Sequence, residues 1–119
     1  MTYFFDTYAI IEIMLNNPSY EKYKDFSVKI SILNIAEIYS IIVRNKSKNE
    51  ADKWLENYNF ELLEISPKTM AKAVYFRIIR KNNISLTDAA GYILSLENNL
   101  KFLTGDRQFK GMPNVEFVK

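Results

Sequence analysis

The chain has 119 residues, 48% hydrophobic and 25% charged, with a formal net charge of +2, which suits one domain with its own core and excludes a disordered tail or a fibre. It contains neither cysteine nor histidine. Disulfides, thiolate nucleophiles, Ser-His triads and histidine or cysteine metal sites are therefore excluded, and any catalysis must rest on carboxylates, lysine, tyrosine, hydroxyls or a bound hard cation.

In chain order, the aromatic run Tyr3-Phe4-Phe5 suits a buried strand that Asp6-Thr7 ends. A helix with Ile10, Ile11 and Met14 on one face follows, until Asn16-Asn17-Pro18 stops it. Tyr20 to Phe26 reads as a short second helix whose Tyr20 and Tyr23 are expected to pack rather than to stack bases. Lys29 to Leu33 is a second strand, after which Asn34 caps a helix striped by Ile35, Ile38, Ile41 and Ile42. A charged loop is expected over Arg44 to Asn49, then a helix with Ala51, Trp54, Leu55 and Tyr58 on one face.

Phe60 to Ile65 alternates apolar and acidic residues as an edge strand does, and Ser66-Pro67 opens a helix by cap and first-turn proline. That helix is expected to turn Ala71, Val74, Tyr75, Ile78 and Ile79 inward. Ser85 to Glu97 is a further capped helix, Leu100 to Leu103 a strand, and Val115 to Val118 the last strand. Strands separated by helices predict an α/β fold: a single domain over residues 1–119 with a mostly parallel central sheet flanked by helices. No apolar run approaches a membrane span, and Asp6 interrupts what could have become a signal-peptide core, so a cytoplasmic protein without membrane contact is expected.

Four carboxylates stand at the ends of these elements. Asp6, Glu37 and Asp106 follow strands and Asp88 opens a helix. Each has an ordinary local role available, as a helix cap, a capping-box partner or a turn residue. In a parallel sheet, however, strand C-termini and the helices that leave them share one edge, so all four are expected on one rim. Two like charges about 4 Å apart repel by roughly 4 kcal/mol at an effective dielectric of about 20. Either some of the four stay protonated or a divalent cation neutralises them, and Mg2+ or Mn2+ suits a site built of oxygen alone.

Phe5-Asp6-Thr7, Asn34-Ile35-Ala36-Glu37, Ser85-Leu86-Thr87-Asp88-Ala89 and Leu103-Thr104-Gly105-Asp106-Arg107-Gln108-Phe109 resemble, in order and spacing, the four acidic motifs of PIN-domain nucleases. The resemblance covers the whole chain and is nearest to the short VapC-type toxins. It implies that Asp6, Glu37, Asp88 and Asp106 are the metal-site acids, with Mg2+ or Mn2+ as cofactor, and that Thr104 orients the last acid or a phosphate. It also implies a metal-dependent endoribonuclease with an RNA substrate, a homodimer, and an antitoxin protein that fills the acidic groove. Arg107 and Gln108 stand where some members carry a further acid or a histidine, which supports one metal rather than a second strongly held one.

Among the cations Lys68, Lys72, Arg77, Arg80, Lys81 and Arg107, only Arg107 is expected to meet phosphate; the others read as a solvated helix face. The alternatives are a housekeeping RNA-processing PIN nuclease and a non-catalytic PIN-fold binding module. A phosphoacceptor signalling domain is disfavoured because Asp6 has no acidic neighbour.

Overall fold

The computed structural model describes residues 2–81 and 83–119. Its strands are β1 (Tyr3–Phe5), β2 (Lys29–Ile30), β3 (Glu61–Leu62), β4 (Lys101–Thr104) and β5 (Val115–Phe117). They form one five-stranded sheet in the order β3-β2-β1-β4-β5, and every pairing is parallel. The helices are α1 (Thr7–Met14), α2 (Ile32–Asn45), α3 (Lys48–Asn57), α4 (Pro67–Arg80) and α5 (Leu86–Glu97), with 3-10 turns over Pro18–Asp25 and Arg107–Phe109. No helix among the described residues is long and apolar enough to cross a membrane.

The central strands β1 and β4 pair Tyr3 with Lys101, Phe4 with Phe102 and Phe5 with Leu103. Their apolar runs do not alternate with polar residues because helices cover both faces of the sheet. Strand alternation divides them between two cores. Tyr3, Phe5 and Leu103 join Ile10, Ile30, Ile38, Tyr20 and Tyr23 on one face, while Phe4 and Phe102 meet Ala89, Ala90, Tyr92 and Phe109 on the other. The chain runs outward from β1 through β2 to β3, then returns to place β4 on the other side of β1. The strand order therefore reverses between β1 and β4, the place where open α/β sheets leave a crevice.

Several local expectations change. Ser31, not Asn34, caps α2: its hydroxyl accepts from the Leu33 N–H, and Asn34 closes the capping box from the third helical position. The strand expected to reach Leu33 is accordingly cut to two residues, since Ser31 already starts the helix. The loop expected over Arg44 to Asn49 shrinks to Lys46 and Ser47, because α2 runs to Asn45 and α3 begins at Lys48. Met14 and Leu55, expected inside, are exposed. Tyr20 and Tyr23 are fully buried, and the Tyr23 hydroxyl donates to Glu116 at 2.6 Å, anchoring the 3-10 turn to β5.

The largest difference lies on α4. Thr69 and Ala73 are its buried residues, whereas Val74, Tyr75, Ile78 and Ile79 are exposed. The helix carries two stripes, and the smaller one wins the core for three reasons. Ala73 permits close packing, the Thr69 hydroxyl donates to Glu97 of α5 at 2.7 Å, and Phe76 stacks on Tyr92 at 5.2 Å.

Gly91 shows how tightly α5 is pressed onto the sheet. A Cβ there would lie 2.7 Å from the Phe4 ring and 3.0 Å from the Phe102 ring. Helix propensity alone would make Gly91→Ala stabilising by about 1 kcal/mol, but overpacking a core costs about 1–3 kcal/mol. Gly91→Ala is therefore expected to lower the urea midpoint. A raised midpoint would show that the rings have room to give way.

Candidate active site

The four acids come from four separate segments and line one cleft of about 400 Å³. It lies beyond the C-terminal ends of β1 and β4, at the reversal in strand order. Asp6 caps α1, its Oδ1 accepting from the Ala9 N–H at 2.8 Å. Asp106 caps the 3-10 turn after β4, its Oδ1 accepting from the Gln108 N–H at 2.9 Å. Asp88 is the third residue of α5, and its N–H donates to the Ser85 hydroxyl at 3.0 Å. Each of these aspartates sits at a helix start, where the peptide dipoles favour an anion. Glu37 differs: with α2 beginning at Ile32, it lies in the second turn rather than at the cap-box position expected for it.

Two small networks hold these carboxylates. Thr104, fully buried at the end of β4, accepts from the Asp106 N–H at 3.0 Å, and its side chain lies close enough to the Asp6 carboxyl to favour the ionised form. One hydroxyl thus stands between the first acid and the last. Its side chain is fully buried and faces the carboxylates rather than open solvent. The second network runs from Ser31 through Asn34 and Thr7 to Glu37. The Ser31 hydroxyl donates to Asn34 Oδ1 at 3.0 Å, Asn34 Nδ2 donates to Thr7 Oγ1 at 3.1 Å, and Thr7 Oγ1 donates to Glu37 Oε1 at 2.6 Å. Because Asn34 supplies the donor, the Thr7 proton is directed at Glu37. The Ser-x-x-Asn spacing of residues 31–34 was a legible sign of this cap; the reach from Asn34 to Thr7 was not.

Electrostatically the cleft is strained. Burial pushes the Asp6 carboxyl well above the usual carboxylate range, and the charges of Asp88 and Asp106 push it further, against the pull of Thr104 and the Ala9 N–H. Burial, then the charges of Glu37 and Asp106, push Asp88 up to about 6. The donor set is all oxygen, which fits a hard divalent ion and no softer metal. Among the described residues no group of three acidic side chains is already arranged to hold one metal ion.

The remaining cleft residues are Thr7, Tyr8, Gly105, Arg107 and Lys119. Arg107 lines the cleft. Lys72 pairs instead with Glu97 at 3.0 Å, Arg77 donates to the Ile84 carbonyl at 2.9 Å, and Arg80 lies 5.9 Å from the Phe76 ring. Tyr8 and Lys119 carried no sequence signal, because only tertiary packing brings residue 119 to residue 8.

The raised Asp88 pKa has a consequence for stability. The folded protein holds that proton more tightly than the unfolded chain, whose value is near 3.8. The favourable contribution is therefore complete below that value and is lost as pH rises through about 6. In chelator at neutral pH, Asp88→Asn is expected to be more stable than wild type by on the order of 2–3 kcal/mol, the gap closing towards pH 4. Urea denaturation at both pH values measures it, and a wild type as stable as the variant at neutral pH would refute the strain.

A family model, the PIN domain, matches residues 3–115. A search of curated proteins finds no match. Fifteen chains of solved structures match. One is VapBC2 from Rickettsia felis bound to a DNA fragment from their promoter, with TM-score 0.73, 20% identity and 100% of both chains covered. Another is Mycobacterium tuberculosis VapC20, a sarcin–ricin loop cleaving toxin, with TM-score 0.75, 13% identity, 99% of this chain covered and 100% of that one. A third is a toxin–antitoxin complex from Klebsiella pneumoniae, with TM-score 0.72, 17% identity, 98% of this chain covered and 96% of that one. At these identities the likeness is one of fold, and the family rests on the match of the family model across nearly the whole chain: the protein belongs to the PIN-domain family.

Proposed function

We propose that this PIN domain is a metal-dependent endoribonuclease and the toxin of a type II toxin–antitoxin pair. The observation that carries the reading is the convergence of Asp6, Glu37, Asp88 and Asp106 on one cleft, with Asp6 and Asp88 held away from their ordinary ionisation. Proteins do not gain stability from such an arrangement, but a divalent cation would reverse its sign. When bound, Mg2+ or Mn2+ would neutralise the carboxylates, polarise a phosphodiester and acidify an attacking water. The four acids would hold the ion. Mg2+ keeps several of its own waters and needs only one or two direct carboxylates, which is compatible with acids that do not form a closed cage. Thr104 and Thr7 are positioning residues in this reading: Thr104 lies beside the Asp6 carboxyl and accepts from the Asp106 N–H, and the Thr7 hydroxyl donates to Glu37.

Two neighbours are toxin–antitoxin assemblies and a third is a sarcin–ricin loop cleaving toxin, which supports a toxin over a housekeeping RNA-processing enzyme or a non-catalytic binding module. A groove of about 410 Å³ beside the cleft, walled by Leu33, Ala36 and Ile41 and sharing Glu37 with it, offers room for a partner segment. RNA cleavage is expected to require Mg2+ or Mn2+, to stop in chelator, and to fall at least ~100-fold in Asp6→Asn or Asp88→Asn, the scale of losing a positioned charge in the transition state. Full cleavage by either folded variant would sink the reading.

The homodimer has its support on α4. Val74, Tyr75, Ile78 and Ile79 leave an apolar stripe on one exposed helix face, and such a stripe can meet its own copy across a two-fold axis. Ile78, 63% exposed in the single chain, is the residue to change. Ile78→Asp is expected to convert a dimer to a monomer in sedimentation while leaving the monomer fold intact. A wild type that sediments as a monomer would exclude this interface.

A further inference from the structure

The cleft of four acids also carries a lysine in an unusual setting. Lys119 Nζ lies 5.4 Å from the centroid of the Tyr8 ring, on the rim of the cleft. The residue before it is tied down from two sides. The Val118 N–H donates to the Thr104 carbonyl at 2.9 Å, and the buried Tyr20 hydroxyl donates to the Val118 carbonyl. Gly105 closes the wall: a Cβ there would stand 2.2 Å from the Tyr8 ring and 2.6 Å from the Val118 carbonyl oxygen. Residues 118–119, the Tyr8 ring and the strand end that leads to Asp106 are thus pressed into one surface.

Neither Lys119 nor Arg107 pairs with a carboxylate within 4.0 Å among the described residues. An aromatic face holds an exposed cation by only about 0.5–1 kcal/mol, so Tyr8 aims the ammonium without consuming it. The charge balance calls for such groups. Four ionised carboxylates with one divalent ion leave two negative charges beside a polyanionic strand, and Arg107 with Lys119 would cancel them.

Resting on the ribonuclease reading, we propose that Lys119, positioned by the Tyr8 ring, and Arg107 form a two-point clamp on the RNA backbone. Each takes one phosphate flanking the bond to be cut. Lys119 supplies the charge, while Tyr8 acts through it.

The test is binding of a fluorescent single-stranded RNA to the full chain in an Asp88→Asn background, read by anisotropy over a range of KCl concentrations. Each phosphate contact on a single strand contributes about 0.7 to the slope of log K against log salt. Lys119→Gln is expected to reduce that slope by about 0.7 and Lys119→Arg to keep it. Tyr8→Leu is expected to lose part of it and Tyr8→Phe none. Lys101→Gln, at the opposite end of β4, is the charge control and is expected to change nothing. In the Asp88 wild type, Lys119→Gln is expected to raise KM several-fold with kcat within about twofold, as loss of uniform binding does. An unchanged slope in Lys119→Gln, an equal loss in Lys101→Gln, or no salt-dependent RNA binding at all would overturn the clamp. A wild type that binds RNA with the expected slope but never cleaves it with Mg2+ or Mn2+ would overturn the ribonuclease reading and leave the clamp standing.

Discussion

Everything at the cleft depends on the parallel pairing of β1 with β4. That ladder continues one residue past β1, where the Asp6 N–H donates to the Leu103 carbonyl at 3.1 Å, and it brings Asp6 beside Thr104. An aspartate only 1% exposed would be costly without partners. The Ala9 N–H supplies one at 2.8 Å, the nearby Thr104 side chain also favours the charged form, and Thr104 accepts from the Asp106 N–H. A buried hydroxyl that accepts from the Asp106 N–H beside the Asp6 carboxyl has little freedom left, so the geometry of two acids follows the strand register.

The same economy recurs on the other side. Asn34 does two jobs at once: its Oδ1 completes the cap of α2, and its Nδ2 fixes the Thr7 hydroxyl. The helix therefore cannot be capped without also orienting the group that meets Glu37. Cap and site are not competing explanations for these residues. Asp6 and Asp106 cap helices and line the cleft, because a carboxylate is held most firmly where helix N–H groups are free to receive it. The strain that results, with Asp6 and Asp88 pushed towards their protonated forms, is what a bound cation would relieve.

The choice of buried stripe on α4 has a different origin. From residue spacing alone, Val74, Tyr75, Ile78 and Ile79 made the stronger apolar stripe. Burial follows what the neighbouring helix can accept, and α5 presents Tyr92 and Glu97, which suit Phe76 and Thr69. A stripe that is apolar yet left outside in one chain is the kind of surface that a second chain covers. The two-stripe helix was visible in the sequence, but which stripe the fold would use was not.

By itself the sequence determined the α/β architecture and the order of its elements, and it singled out the four carboxylates that line the cleft. Strand and helix periodicity are local, and polar residues at the ends of apolar runs mark where those elements stop. It also fixed the chemistry available, because a chain without histidine or cysteine has little but oxygen to offer a metal. Only the tertiary structure decided that Asn34 reaches Thr7 beside Glu37, that Thr104 stands by Asp6, and that Tyr8 and Lys119 share the cleft. The contact of Asn34 with Thr7 spans 27 positions, and Tyr8 meets Lys119 from the far end of the chain. These contacts arise from the packing of α1 on α2, the register of β1 against β4 and the packing of residues 118–119 on Gly105, which no local pattern encodes.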